Sequence, residues 1–363
     1  MKVTYQMFFS NSSGQLSDQE FYDAELRLAE LAEPLGFDGI WCVEHHFDGE
    51  YSMCPDNLMV LAHLAAKTER VTLTTGGVIL PWNDPLRVAE KITLLDTLSG
   101  GRAQLGVGRG LSKIEYDTFG IEMGEARERF DQSLAIVLDA LRAGTVRADG
   151  PIYRQPEADL RPRPQRDLSD SVVSIAMSED SRTAAADAGL AIASFAQFPT
   201  EEHARTIGEY RARFEEKHSR QAPPPVMTDH IYCAADEAEA AEVSRDYITR
   251  HFMLTMRHYS FDKAGHFDNL KGYTSYAAMA DAMQAAGKQA AADGYVAAQI
   301  TGTPQQIVDR IQERVDAFGD YDQNFGFSYG GLPHDKIESS MRLFAAEVLP
   351  ELERRGLRVS TAR

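Results

Sequence analysis

Gly39-Ile40-Trp41-Cys42-Val43-Glu44-His45-His46 is the stretch on which the architecture turns. Gly39–Val43 is an apolar run the length of one buried strand, and it breaks at once into a carboxylate and two imidazoles. Polar side chains gathered where a short buried strand ends are the layout of a β/α barrel, whose chemistry sits at the C-terminal ends of its strands. Extended chain alternates faces, so Glu44 and His46 share one side and His45 takes the other.

Outward from this run, strand and helix alternate. Val3–Phe9 reads as a first strand. Asp18–Leu35 carries Phe21, Leu26, Leu28, Leu31 and Leu35 at helical spacing, and Gly36 stops it. Asp56–Lys67 reads as a helix capped by Asp56, Val71–Leu80 as a third strand and Pro85–Leu98 as the next helix. Ala103–Val107 is a fourth strand that opens into Gly108-Arg109-Gly110, with the helix Glu125–Ala143 beyond it. Asp149–Ser171, rich in Pro, Arg and Asp, reads as a crossing loop. Val172–Met177, Leu190–Phe195, Val226–Ala234 and Asn324–Tyr329 complete eight strands with helices between them.

This pattern predicts one α/β domain over residues 1–363, a (β/α)8 TIM barrel. No GxGxxG follows the first strand, which counts against a Rossmann domain. Residues 258–293 mix Gly, His, Lys and aromatic residues without a period. They read as a mobile lid inserted between strands seven and eight, over the barrel mouth.

Composition narrows the partners. A net charge of −18, from 55 acids against 37 bases, repels nucleic acid and anionic membranes and suits small-molecule chemistry. Cys42, Cys54 and Cys233 form no CxxC pair, and Cys42 reads as an inert core thiol. The opening nine residues are too short for a signal peptide, and no segment approaches the roughly 20 apolar residues of a membrane span. A cytoplasmic location is expected.

Polar groups gather at three strand ends. Glu44, His45 and His46 supply a carboxylate and two imidazoles, suited to moving protons or stabilising a negative oxygen. The same trio has the chemistry of a zinc site, but no HxH or HExxH accompanies it, and no metal is expected. Gly106-Val107-Gly108-Arg109-Gly110 offers close backbone approach and a guanidinium fork for phosphate, and Arg127 would add a second. Ordinary turns and a salt bridge from Arg127 to Glu125 or Asp131 account for the same residues. Ser178-Glu179-Asp180-Ser181 opens a helix, where free amides and hydroxyls suit an anion and equally suit plain N-capping. Gly76-Gly77 within a strand implies a bulge or the close approach of a flat ligand. Converging on one mouth, these groups point to a phosphate-bearing cofactor.

Trp41-Cys42-Val43-Glu44-His45-His46-Phe47, Val78-Ile79-Leu80-Pro81, Leu94–Arg102, Gly108-Arg109-Gly110-Leu111 and Gly302-Thr303-Pro304 resemble the bacterial-luciferase-like flavin-dependent monooxygenases, nearest the luciferase α chain, over about Lys2 to Gly356. The resemblance implies a barrel that takes reduced FMN from a separate NAD(P)H:flavin reductase. Through a C4a-peroxyflavin formed with O2, it would oxygenate a small aldehyde, ketone or aromatic substrate. Carried over by position, Arg109, Arg127, Ser178 and Ser181 would hold the phosphate, and Gly110 and Leu111 would bind the same cofactor. Gly76 and Gly77 would lie beneath the isoalloxazine, where the family has a non-prolyl cis peptide, and Ala176 and Met177 would line the same pocket. His45 would be the catalytic histidine, with Glu44 and His46 in support. Gly108 and Met177 stand where luciferase α has a reactive cysteine and a glutamate, which puts light emission in doubt. An F420-dependent hydride-transfer enzyme and a non-catalytic flavin-binding subunit are the competing expectations. The very apolar helix Asp56–Lys67 predicts a dimer.

Overall fold

The structure is a computed structural model that describes residues 1–268, 270 and 272–359. The sheet strands are β1 Val3–Met7, β2 Gly39–Cys42, β3 Thr72–Thr75, β4 Val78–Ile79, β5 Ala103–Gln104 and β6 Gly106–Gly108. A separate pair follows, β7 Thr145–Asp149 with β8 Arg154–Asp159, and then β9 Val173–Ile175, β10 Ala191–Phe195, β11 Val226–His230 and β12 Asp322–Gly326. Ten of these form one sheet in the order β4-β6-β9-β10-β11-β12-β1-β2-β3-β5, parallel throughout. Its ends are joined by short stretches of chain, because β4 follows β3 after Gly76-Gly77 and β6 follows β5 after Leu105. The sheet is therefore curled, with helices packed outside it. Strands such as β1 (Val-Thr-Tyr-Gln-Met) are buried along their whole length, as strands covered on both faces must be.

Capping chemistry in the sequence sets several helix starts. Ser17 and Glu20 form a reciprocal capping box before Asp18–Ala32, and Thr303 with Gln306 does the same before Pro304–Phe318. Asp56 caps Asn57–Ala65 by accepting from the Met59 amide.

Four expectations are corrected. The third strand is two pieces, because Gly77 adopts φ +126 and breaks the ladder. The crossing loop contains β8, paired antiparallel with β7. Its residues Arg-Gln-Pro-Glu-Ala-Asp are almost all exposed, so backbone pairing holds it without any apolar alternation to read. Much of 258–293 is helical, with Thr274–Ala286 and Lys288–Ala298 separated by Gly287 at φ +84; residues 269 and 271 lie outside the described ones. Alanine-rich helices carry little amphipathic signal, which is why no period shows. Finally, a short helix, Lys113–Phe119, stands where none was expected. Among the described residues, no helix is long and apolar enough to cross a membrane.

Candidate active site

The C-terminal ends of β2, β4, β6, β9, β10 and β11 surround one cavity, roofed by the helix Glu237–His258 and by Phe261, Tyr276 and Tyr295. Glu44, His45, Gly76, Gly77, Arg109, Gly110, Leu111, Met177 and Ser181 line it. Among the predicted site residues, His46, Arg127, Ala176 and Ser178 stand outside this lining. For Ala176 the reason is strand alternation. Ile175 and Met177 face the cavity, while Ala176 turns fully into the surrounding core. Glu44, His45 and His46 lie past the end of β2, and strict alternation does not hold: Glu44 lines the cavity beside His45, while His46 bonds Glu44 and packs edge-on against Phe119.

Glu44 turns out to be heavily engaged. Its Oε1 accepts from Trp82 Nε1 at 2.8 Å, Asn83 Nδ2 at 2.9 Å and His46 Nε2 at 3.3 Å, and its Oε2 accepts from the Ile79 amide at 3.3 Å. A carboxylate so occupied ties the end of β2 to β4 and the loop after it. His45 is oriented by a different carboxylate, Glu115, whose Oε1 lies 3.2 Å from His45 Nδ1. The same oxygen accepts from the His46 amide at 2.8 Å and lies 3.7 Å from His258 Nε2. His258 Nδ1 is 3.3 Å from Asp48, and its ring stacks on Tyr51 at 4.1 Å.

The chain Asp48–His258–Glu115–His45 is thus continuous. Burial alone would raise the Glu115 carboxyl, but the neighbouring imidazoles of His258 and His45 bring it down to about 2. Burial opposes charge on His258 too, yet Asp48 and Glu115 outweigh it and its pKa is raised. Burial dominates at His45 and lowers its pKa, although Glu115 pulls the other way. An ionised Glu115 can only accept, so the neutral His45 carries its proton on Nδ1 and leaves Nε2 bare. His45, Glu115 and His258 also place ligand atoms within 4.8 Å of one another, a spacing that a metal ion accepts too.

A cationic corner lies at the other end of the cavity. Arg109 is 9% exposed, its Nη1 has no hydrogen-bond partner, and its guanidinium stacks 4.3 Å from the Tyr273 ring centroid. A buried guanidinium nitrogen left unpaired is costly, so this corner suits an anion. Ser178 and Ser181 form a capping box at the start of Glu179–Asp187, their hydroxyls 2.6 Å apart. Arg127 reaches the same turn, donating to the Asp180 carbonyl at 2.9 Å, while also pairing with Asp131 at 3.7 Å. The capping and salt-bridge explanations hold alongside an anion site, because the groups still converge. Burial raises the Tyr276 hydroxyl's pKa, and Arg109 and Ser178 oppose it, which puts this phenol among the same groups. Two guanidinium groups, two hydroxyls and helix-start amides fit a phosphate dianion.

The glycines have a packing reason of their own. A Cβ on Gly110, at φ +79, would meet Ile79 Cγ2 at 2.8 Å and Trp82 Cη2 at 2.9 Å; one on Gly108 would meet Ile79 Cδ1 at 2.9 Å. The cis peptide implied at Gly76-Gly77 is absent, and Arg161-Pro162 is the cis bond among the described residues.

Sequence reasoning missed Glu115, Tyr51 and the histidines of the roof. A signal did exist for the last: His251, Thr255 and His258 lie at i, i+4 and i+7 and so share one helix face.

Several known monooxygenases are similar to this chain. The alkanal monooxygenase α chain of Photobacterium leiognathi is 26% identical over 97% of this chain and 99% of its own. The oxygenase component of the flavin-dependent trigonelline monooxygenase of Acinetobacter baylyi is 23% identical over 96% of this chain and 95% of its own. The crystal structure of monooxygenase RslO1 from Streptomyces bottropensis superposes with a TM-score of 0.81 at 28% identity, covering 97% of this chain and 99% of that one. Residues 1–321 match the luciferase-like monooxygenase family, and the chain belongs to that family.

Proposed function

We propose that this chain is the oxygenase component of a two-component monooxygenase that receives reduced FMN from a separate NAD(P)H:flavin reductase. The observation that carries the reading is the buried Arg109, its Nη1 without a hydrogen-bond partner, beside the Ser178–Ser181 helix start, at one end of an otherwise largely apolar cavity. The kinship with an oxygenase component named as flavin-dependent supports the division of labour. When bound, reduced FMN supplies the oxygen activation, and one atom of O2 passes to a small organic substrate.

Arg109, Arg127, Ser178 and Ser181 hold the phosphate in this reading. Gly76 and Gly77 face the ring system, and Gly110, Leu111 and Met177 flank it. Ala176 serves only as the buried strand behind Met177. His45 Nε2 accepts and returns a proton at the reacting centre. Glu115 fixes its tautomer and His258 keeps Glu115 ionised, while Glu44 and His46 hold the loop in place. Residues 258–293 act as the lid that keeps water out, supported by Tyr273 and Tyr276 resting on the phosphate corner. β3 with β4, and β5 with β6, read as two interrupted strands, and the sheet then counts as a closed (β/α)8 barrel. A second copy would cover the exposed Met59, Leu94 and Leu98, checked by sedimentation of wild type against L98E.

The test is anaerobic titration with photoreduced FMN, followed by mixing with O2 and candidate aldehydes, ketones and phenols. Tight binding of FMNH2, little response to F420, and substrate-dependent oxygen incorporation from 18O2 are expected. Failure to bind FMNH2 ends the proposal.

A further inference from the structure

The cavity holds a second pair of imidazoles outside the Glu115 group. His230 ends β11 and His251 lies on the roof helix, their ring centroids 4.1 Å apart. They are 1% and 2% exposed, and both line the cavity. Phe8 stands between them and the catalytic histidine, its ring 4.8 Å from His251, 6.0 Å from His230 and 6.0 Å from His45.

Neither ring is satisfied. His230 Nδ1, His230 Nε2 and His251 Nδ1 are buried without hydrogen-bond partners. Buried polar atoms are nearly always paired, and each orphan costs free energy that a structural role would not repay. The fold makes room for the pair nonetheless: a Cβ on Gly326 would lie 3.3 Å from His230 Nδ1. Burial lowers the His230 pKa to about 4, and burial together with His230 takes His251 well below its ordinary value. Both rings are therefore neutral near pH 7, each with one N–H donor and one bare acceptor nitrogen.

Resting on the monooxygenase reading above, we propose that His230 and His251 anchor the organic substrate, a flat aromatic bearing a hydroxyl group meta to a carbonyl substituent. A straight-chain aldehyde offers one acceptor and no donor, so it would satisfy an imidazole N–H and leave the bare nitrogens orphaned. A phenolic hydroxyl too far from the carbonyl to bond it internally donates to a bare nitrogen, while the carbonyl takes an N–H. Neutral rings provide no counter-charge, so a carboxylate is not the group they recognise. Phe8, Phe195, Tyr259 and Tyr295 supply the aromatic walls against which a flat ring packs.

The test measures dissociation constants of three probes on the wild-type protein loaded with oxidised FMN: 3-hydroxyacetophenone, acetophenone and decanal. The hydroxy ketone is expected to bind at least about tenfold more tightly than either of the others, since a site built for hydrogen bonds rejects analogues that lack them. In His230→Leu and His251→Leu that preference is expected to fall towards parity, with FMN affinity unchanged in the same samples. Equal affinities in the wild type, which needs no variant to fold, would overturn the proposal; so would an undiminished preference in both variants. Failure of the wild-type protein to bind FMN would instead count against the monooxygenase reading; the same three constants, measured on the FMN-free protein, then decide this proposal by themselves.

Discussion

Glu115→Gln keeps the size of the side chain and removes the negative charge between His45 and His258. In the native protein this carboxyl sits at about 2 rather than its ordinary 4.5. Its side chain is 2% exposed, so solvent screens the interaction little. At about 1.4 kcal/mol per tenfold change in proton affinity, the ionised carboxylate contributes about 3 kcal/mol to folding near neutral pH. Because its folded pKa is depressed, that contribution is complete above about 4.5 and fades as pH falls towards about 2. Urea denaturation of wild type and E115Q should therefore differ by about 3 kcal/mol at about pH 5.5, and the gap should narrow by about 1 kcal/mol at about pH 3.5. The variant should also lower the His258 pKa, read by imidazole NMR, since Glu115 is one of the two carboxylates that raise it. A stability gap that stays constant over this pH range, or an unmoved His258 titration, would refute the reasoning.

Arg109→Ala removes a buried guanidinium whose Nη1 has no partner in the protein, and FMN affinity in equilibrium dialysis should weaken about 10- to 100-fold. Arg314 makes a bidentate pair with Asp229 at 2.6 and 2.8 Å, both side chains at most 2% exposed, so Arg314→Met should cost about 3–5 kcal/mol in chemical denaturation by stranding Asp229. Gly110→Ala forces a Cβ against Ile79 and Trp82 at a positive φ, and should lower stability by about 1–3 kcal/mol while loosening the Trp82–Glu44 bond, visible as a shift in tryptophan fluorescence.

The residues of strand ends were legible because their chemistry contradicts their surroundings. Glu44-His45-His46 after an apolar run, Arg109 between glycines, and Ser178 and Ser181 at a helix start all break a local pattern, and local patterns are what a sequence displays. Cap signals such as Ser17 with Glu20 and Thr303 with Gln306 placed helix starts for the same reason. Tertiary structure alone decided which partners these groups meet. His45 is separated from Glu115 by 70 residues, and no spacing rule reaches that far; the pairing exists because the helix Lys113–Phe119 folds back over the end of β2. Nor could sequence show that the oxygens of Glu44 are already occupied, since the donors Ile79, Trp82 and Asn83 come from β4 and the chain after it. Whether a buried polar group is paired or orphaned depends on three-dimensional neighbours, so Arg109, His230 and His251 became distinctive only when the fold left their nitrogens facing a cavity without partners.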